Sequence, residues 1–377
     1  MKPRDRVTCV LVLICACARG PHGQPHVNSR VRGPELRRVS STELVDTGRA
    51  PLGAYTSFFT RSATGITYIG DQQYKRVVVF ASNGRRMADI GQAGDGPGEF
   101  QIPAALGLIH HDSVLAVNDA GRRTMELFDA TAGTFLRMFP LPVEWIGQDW
   151  VTGPDDIVFA TQMADSLIGR WRTAGDSIQR FGASPRMLVQ HPGLYLSHGQ
   201  TNVAPAGSGF AVFVPTEPGI RIVDRNGVPQ GLVVLPVARR AGEPSDLAVR
   251  QAKLARDRRY DVIGSSADGL HRLTGGELVV IHLDVDRLGD ADHGRFGNFR
   301  LYASLVSADD QRACVDAPVP IQTDVAPIPA FVGDTMFVLA RSVSADNGVR
   351  DAVIGFLVTD AGCEWQSTGG IQPATMH

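Results

Sequence analysis

Short apolar runs separated by tight-turn residues recur along the chain. The clearest example reads Val77-Val78-Val79-Phe80, then a turn at Asn83-Gly84, then a second run that ends near Ile90. Asn-Gly supplies the two residues with positive φ that the tightest hairpin turns require, so this segment predicts a β-hairpin. The same pattern returns around five later turns, at Ala132-Gly133, Ala174-Gly175, Asn226-Gly227, Ala308 to Asp310 and Ala361-Gly362.

The spacing of these six turns indicates a repeat architecture. Four of the five intervals are about 42 to 52 residues, the length of one four-stranded propeller blade. The remaining interval is about 80 residues, which equals a blade plus an inserted segment. An isolated blade cannot bury both of its faces, whereas a closed ring of blades can. The pattern therefore predicts an all-β, six-bladed β-propeller over residues 35–370, followed by a tail at 371–377.

A glycine-rich segment lies between the first two predicted blades. Residues 91–103 read Gly-Gln-Ala-Gly-Asp-Gly-Pro-Gly-Glu-Phe-Gln-Ile-Pro. The segment resembles the inter-blade linker of NHL-type repeats and of bacterial six-bladed propeller lipoproteins, and the resemblance covers roughly residues 55–142. We expect the glycines to permit a chain reversal, the aromatic ring to fill the space between two blades, and the last proline to begin a strand without needing an N–H. The residues of this structural motif are Gly94, Gly96, Pro97, Gly98, Glu99, Phe100 and Pro103.

The N-terminus has the pattern of an export signal. The first six residues include three basic ones, and Val7 to Ala18 is a small or apolar run of twelve residues. Twelve residues are too few to cross the roughly 30 Å hydrocarbon core of a membrane as a helix. Residues 1–18 are therefore interpreted as a signal peptide, and the Pro- and Gly-containing residues 19–34 as a flexible tether.

Two cleavage sites fit this signal. Ile14-Cys15-Ala16-Cys17 resembles a bacterial lipobox and would make Cys17 the lipidated first residue of a periplasmic or outer-envelope lipoprotein. Ala16-Cys17-Ala18 also fits ordinary signal peptidase, which would release a secreted protein. On the first interpretation, the chain meets the membrane only through its lipid anchor.

Long connections are predicted to concentrate on one face of the ring. In a propeller the connections from each second to third strand, and from each blade to the next, emerge on the same face. The four longest predicted connections are of these two kinds, and they span residues 183–197, 238–262, 285–297 and 342–350. Insertions concentrated on one face of a repeat protein usually build its binding surface.

The longest insertion, residues 238–262 between blades four and five, is predicted to contain a short helix. Ser245 or Asp246 can cap it, and no Gly or Pro interrupts Leu247 to Tyr260. Between Arg239 and Asp261 we count seven basic and four acidic residues. This excess of positive charge predicts either a solvated cover or a binding surface for an anion or partner. The binding-face candidates are Arg239, Arg240, Arg250, Lys253 and Arg256.

An acidic segment follows in the next blade. Its carboxylates could hold a hard cation such as Ca²⁺, although the spacing does not match an EF-hand. The simpler interpretation is a solvated acidic loop, and no cofactor is otherwise indicated. The metal candidates are Asp284, Asp286, Asp290 and Asp292, beside His293.

The two cysteines outside the signal segment are Cys314 and Cys363. An even count in an oxidising compartment favours a disulfide. The predicted blades, however, place both cysteines on outer strands of neighbouring blades, where a Cα separation below about 7 Å is hard to reach. The pairing stays open at this stage.

Charge and motifs narrow the function classes. The chain has 37 basic and 39 acidic residues, a formal net charge of −2, so binding of nucleic acid through overall charge is not expected. We found no nucleophile elbow, phosphate-binding loop, HExxH or CxxC motif. The leading interpretation is a monomeric, non-catalytic scaffold that binds a protein, peptide or glycan. The alternative is a calcium-dependent hydrolase or lyase similar to gluconolactonase-type propellers, with channel-mouth candidates Asp71, Asn118, Asp119 and Asp284.

Overall fold

Six antiparallel sheets arranged as blades make up the fold. The structure is a computed structural model, and the residues that it describes are 33–47, 50–141, 146–152, 156–161, 166–172, 177–184, 189, 201–214, 219–236, 265–287, 296–343 and 349–372. Every element with bounds in these ranges is a β-strand. The predicted six-bladed β-propeller is therefore confirmed. The helix predicted within 238–262 falls outside the described residues.

The strands follow the chain in blade order, and each blade runs from an inner to an outer strand. The N-terminal strand and blade one comprise β1 (Glu35–Glu43), β2 (Thr56–Arg61), β3 (Thr67–Asp71), β4 (Arg76–Phe80) and β5 (Arg86–Ile90). The linker and blade two comprise β6 (Gln92–Ala93), β7 (Glu99–Phe100), β8 (Pro103–Ile109), β9 (Val114–Asp119), β10 (Thr124–Asp129) and β11 (Phe135–Pro140). Blade three comprises β12 (Ile146–Thr152), β13 (Asp156–Thr161), β14 (Ile168–Arg172) and β15 (Ser177–Phe181).

The second half of the ring repeats this order. Blade four comprises β16 (Asn202–Ala206), β17 (Gly209–Phe213), β18 (Gly219–Val223) and β19 (Pro229–Val234). Blade five comprises β20 (Ser265–Arg272), β21 (Leu278–Arg287), β22 (Phe296–Val306) and β23 (Arg312–Pro318). Blade six and the C-terminal strand comprise β24 (Ile328–Val332), β25 (Thr335–Val343), β26 (Val349–Thr359) and β27 (Gln366–Ser367).

Burial along the strands explains the apolar runs seen in the sequence. Every residue of β3 and of β4 is buried, because these middle strands lie between two neighbouring blades and both of their faces are covered. Such strands have nearly continuous apolar sequences instead of alternating ones. The outer strand β5 has three exposed residues in a row, since it lies at the rim of the ring. The apolar core thus consists of the interfaces between blades.

The ring is closed by the first strand. β1 pairs with β26 from Glu35↔Thr359 to Glu43↔Ala352 and supplies the outermost strand of blade six. The hairpin predicted at Ala361-Gly362 is therefore wrong, because β26 is already paired with β25 on one edge and with β1 on the other. The chain instead leaves β26 and forms β27, which pairs with the outer strand of blade five through Arg312↔Ser367.

This C-terminal crossing also joins the two cysteines. Cys314 lies on β23, and Cys363 follows β26 on the way to β27. They form a disulfide with a Cα–Cα distance of 5.6 Å, inside the usual range for such a bond. The predicted blades separated the two residues because they assigned Cys363 to the outer strand of blade six. The segment that actually carries Cys363 lies against blade five.

The linker motif fills the junction of blades one and two. Phe100 is fully buried, and its ring centroid lies 5.6 Å from that of Phe128. Gly91 has a φ of +72°, and a Cβ there would lie 2.2 Å from the ring of Phe100, so only glycine fits. Glu99 accepts hydrogen bonds from the Gly96 amide and from Gln92 at 2.8 Å each, which holds the loop around the aromatic ring.

Replacing Phe100 tests this role. Phe100→Ala removes a ring from a sealed interface, and such a cavity typically costs about 3–5 kcal/mol. Equilibrium unfolding in urea should show that the free energy of unfolding falls by this amount. Leu136→Ala is the matched control, because Leu136 is 51% exposed on the outer strand β11 and should change the unfolding free energy by less than about 0.5 kcal/mol. Equal effects of the two substitutions would contradict the proposed packing.

A buried carboxyl group ties blade two to the same linker. Glu126 is fully buried on β10; it accepts a hydrogen bond from the Gly98 amide at 3.0 Å and pairs with Arg122 at 2.9 Å. Arg122 also donates to the carbonyls of Gly96 and Glu99. Burial raises the pKa of Glu126 to about 7, although Arg122 and the Gly98 amide act in the opposite direction.

The raised pKa predicts a pH dependence of stability. The native state holds the Glu126 proton more tightly than the unfolded chain does, so this group lowers stability as pH rises from about 4.5 to about 7. One proton contributes a slope of at most about 1.4 kcal/mol per pH unit. Chemical unfolding between pH 4.5 and 8 should therefore show a shallower decline for Glu126→Gln than for the wild type. The exposed Glu364→Gln variant should match the wild type, and a parallel decline of all three proteins would refute the assignment.

Candidate functional site

The six inner strands, β2, β8, β12, β16, β20 and β24, surround a central channel. Each of them lies at the end of its sheet and pairs with one strand only. Consecutive inner strands contact each other around the ring, including β2 with β24. Backbone N–H and C=O groups on the unpaired edges therefore face the channel, which gives it polar walls. Pro205 and Pro329 suit these edges because proline donates no backbone hydrogen bond.

The two ends of the channel differ in the length of their connections. One end, here called the short-turn face, carries the turns between first and second strands and between third and fourth strands, such as Gly207–Ser208 and Ala81–Arg85. The opposite end, here called the long-connection face, is where the strands that flank residues 182–201, 235–264, 288–295 and 344–348 end and begin. The strand ends that flank all four predicted connections thus lie on one face, but the connection predicted at 342–350 is reduced to the five residues 344–348, as many as in the turn Ala81–Arg85.

A cavity of about 340 Å³ lies in the channel. All six inner strands contribute to its wall, among them Phe59–Arg61 of β2 and Leu270–Arg272 of β20. Every inner strand runs from the long-connection face towards the short-turn face. Phe59–Arg61 and Leu270–Arg272 are the last three residues of β2 and β20, so they lie near the short-turn face. Asp112, in the first turn of blade two, also lines the cavity. The cavity is therefore located towards the short-turn face.

Two arginines supply positive charge to this cavity. Arg61 donates to Thr67 Oγ1 at 2.5 Å, and its guanidinium lies 4.8 Å from the ring centre of Phe337. Arg272 donates through Nε to the carbonyl of Pro205 at 2.5 Å and through a terminal nitrogen to the carbonyl of Gly276. Burial lowers the pKa of each arginine, and for Arg272 the charges of Asp310 and Glu277 oppose that effect.

Aromatic groups form much of the remaining wall. The imidazole of His271 stacks on Phe331 with ring centres 4.3 Å apart and planes 7° apart, and its Nε2 lies 2.9 Å from the carbonyl of Gly333. Burial lowers the pKa of His271, which favours the neutral ring. The indole of Trp150 covers Gly107 so closely that a Cβ at this glycine would lie 2.5 Å from Cε3 of the indole.

The rim of the cavity includes an unusual turn. His110, His111 and Asp112 have φ values of +51°, +56° and +64°, so three consecutive non-glycine residues are left-handed. Each residue in this conformation costs on the order of 1 kcal/mol or more. The turn is held by a hydrogen bond from the Ala63 amide to Asp112 Oδ2 at 2.7 Å. Strained backbone of this kind clusters at functional sites.

Most of the residues predicted from sequence for the long-connection face lie outside the described residues. They are Arg239, Arg240, Arg250, Lys253, Arg256, Asp290 and Asp292. The lipidation candidate Cys17, in the signal segment, also lies outside the described residues. Asp284 and Asp286 belong to β21, not to a loop: Asp284 is paired with Ser265 and Arg300. The acidic loop was therefore predicted to begin too early, because β21 continues to Arg287.

Two other channel-mouth candidates have structural roles. Asp71 is fully buried; it accepts hydrogen bonds from the amides of Gly53 and Tyr74 and pairs with Arg76 at 3.1 Å. Asp119, equally buried at the corresponding end of β9, accepts from the amides of Gln101, Ile102 and Gly121. Each carboxylate thus holds, by hydrogen bonds to backbone amides, the segment that leads into the inner strand of its blade. Among the residues that the structure describes, no three His, Cys, Asp or Glu side chains lie close enough together to hold a metal ion.

Sequence reasoning missed the arginines of the cavity. Two inner strands end in similar sequences, Phe59-Thr60-Arg61 and Leu270-His271-Arg272. Each sequence places an arginine immediately before the first turn of its blade, and this similarity could have indicated the site. This signal carries meaning only once the strands are known to be innermost. The described part of the chain contains no helix long and apolar enough to cross a membrane.

Comparison with known proteins defines the fold class only. No protein-family profile and no curated protein sequence matches this chain. Among solved structures, a member of the DUF4221 family from Bacteroides vulgatus is similar with a TM-score of 0.57 and 7% identity, over 88% of this chain and 99% of the other. A Bacteroides fragilis protein, named for its expected export, is similar with a TM-score of 0.52 and 14% identity, over 86% and 97%. At these identities the likeness concerns the propeller fold alone.

Proposed function

We propose that this protein is an exported, non-catalytic binding scaffold of the cell envelope. The observation that carries the proposal is the asymmetry of the ring: short turns occupy one face and every long connection leaves the other. Loops on one face of a rigid repeat scaffold are the usual way in which such folds present a binding surface. The apolar run at residues 7–18 and the similarity to an expected exported protein support the envelope location.

The partner is proposed to be a protein, peptide or glycan that contacts the long-connection face. The inserted residues 238–262 have an excess of basic side chains, and the acidic segment 284–293 follows in the sequence of the next blade. A partner would therefore meet both signs of charge, so its affinity should weaken as salt screens them. The protein acts as a monomer in this proposal.

Removing the insertion tests the proposed face. A glycan array and a peptide library, each probed with wild-type protein, first supply a binder of defined chemistry. Deletion of residues 242–260 should leave the propeller folded, because the segment lies between blade strands, and should reduce binding about tenfold or more. Simultaneous replacement of Arg250, Lys253 and Arg256 by Glu should have a similar effect, with an unchanged melting temperature measured by circular dichroism.

The matched control reverses the same number of charges elsewhere. Arg37, Arg38 and Arg85 are exposed and lie on the outer strand of blade six and on a turn of the short-turn face. Their replacement by Glu should leave binding of the array-derived ligand within about twofold of the wild type. Normal binding by both insertion variants, or a loss in this control alone, would exclude the long-connection face as the site.

Anchoring is tested at Cys17. If Cys17 is the lipidated residue, Cys17→Ser should abolish labelling by a radioactive or clickable fatty acid and leave an unprocessed or differently cut precursor. The neighbouring Cys15→Ser variant should retain label and processing, because the lipid is attached at the residue that follows cleavage. Unchanged processing of Cys17→Ser would instead exclude lipidation at Cys17 and favour cleavage before Arg19 by ordinary signal peptidase.

A further inference from the structure

We propose that the cavity at the short-turn face binds a small organic anion that combines a carboxylate with a planar apolar group. The cavity volume of about 340 Å³ is near the lower end of the range of about 300–1,000 Å³ typical of small-molecule sites. This site is separate from the long-connection face, so neither depends on the other.

The charge in the cavity favours an anion. Its titratable lining residues are Arg61, Arg272, Asp112 and His271. Burial lowers the pKa of His271, which favours its neutral form, and the carboxylate of Asp112 already accepts a hydrogen bond from the amide of Ala63. Among the described residues, neither arginine forms an ion pair with a carboxylate. The cavity therefore has one more positive than negative charge, in a setting less polar than bulk water.

Arg61 is the better anchor of the two arginines. Its guanidinium is held in place by Thr67 and the ring of Phe337, which occupy one N–H and one face. The other N–H donors have no protein acceptor in the described part of the chain. Burial alone shifts the pKa of Arg61, whereas the negative charges of Asp310 and Glu277 also act on the pKa of Arg272. Arg272 is therefore already partly compensated by nearby carboxylates. A ligand carboxylate would supply the missing counter-charge, and guanidinium–carboxylate hydrogen bonds are among the strongest available.

The walls favour a planar apolar group beside that carboxylate. Trp150 is held against Gly107, and Phe331 is held by its stack with His271, so both surfaces are rigid before a ligand arrives. Preformed aromatic walls with a few convergent polar groups are typical of small-molecule sites. Asp112, the last residue of the left-handed turn at 110–112, contributes the negative charge of the lining.

Calorimetric titration with matched probes tests the proposal. The probes are benzoate, 4-hydroxybenzoate and indole-3-acetate, each compared with its uncharged amide. At least one carboxylate should bind wild-type protein about tenfold or more tightly than its amide, and added sodium chloride should weaken that binding. Arg61→Gln should remove about tenfold of the affinity for the carboxylate without changing that for the amide. Arg61→Lys should restore part of it, and Arg272→Gln should cost a smaller factor.

Controls separate the site from folding and from the other face. Arg85→Gln removes an exposed arginine from the same face outside the cavity and should bind normally. Gly107→Val displaces the Trp150 indole without altering charge and should weaken carboxylate and amide alike. Melting temperatures identify any variant that fails to fold. Deletion of residues 242–260 should leave carboxylate binding intact, so failure of the proposed function is distinguishable from failure here.

Two outcomes would overturn the assignment. One is that no carboxylate binds more tightly than its amide at concentrations up to 10 mM. The other is that both Arg61→Gln and Arg272→Gln fold and still bind the carboxylate with the affinity of the wild type and of Arg85→Gln.

Discussion

Closure of the ring is the constraint on which the rest of the structure depends. Each blade buries its faces only against its two neighbours, so an open row of six blades would leave two apolar faces in water. Pairing of β1 with β26 joins the ends of the chain and covers the last open edge of blade six. Leu44 and Leu52, close to that junction, then pack into the interface between blades six and one. The contacts between residues far apart in the sequence therefore keep the apolar faces of all the blades out of water.

Buried polar groups determine how successive blades are attached. Asp71 and Asp119 end corresponding strands of blades one and two, and each uses its carboxylate to hold backbone amides of the chain entering its blade. Arg341 of blade six donates to the carbonyl of Gly53, so the final blade also holds the entry to the first. Because a buried carboxylate must have its hydrogen bonds satisfied, these contacts fix where the chain enters each blade.

The closed ring also separates two kinds of surface. Towards the short-turn face, residues of all six inner strands form a charged cavity; at the other face, the strands flank the longest connections of the chain. The two proposals divide accordingly: the cavity is proposed to surround a small ligand, and the long-connection face is proposed to contact a larger partner over an area. The cavity depends on ring closure, because its wall includes β2 of blade one and β24 of blade six, which contact each other where the ring closes.

Local patterns in the sequence determined most strands, five of the six predicted hairpin turns and the linker around Phe100, because each depends on residues a few positions apart, and the repeat of these turns predicted the number of blades. Tertiary structure decided which strand closes blade six, how Cys363 reaches Cys314, and which side chains share the cavity. These depend on pairings such as Glu35 with Thr359 and on the meeting of Arg61 with Arg272, residues separated by most of the chain. Nothing in a local pattern distinguishes an N-terminal strand that joins the last blade from one that begins the first. Only the geometric need to cover every blade face selects between them.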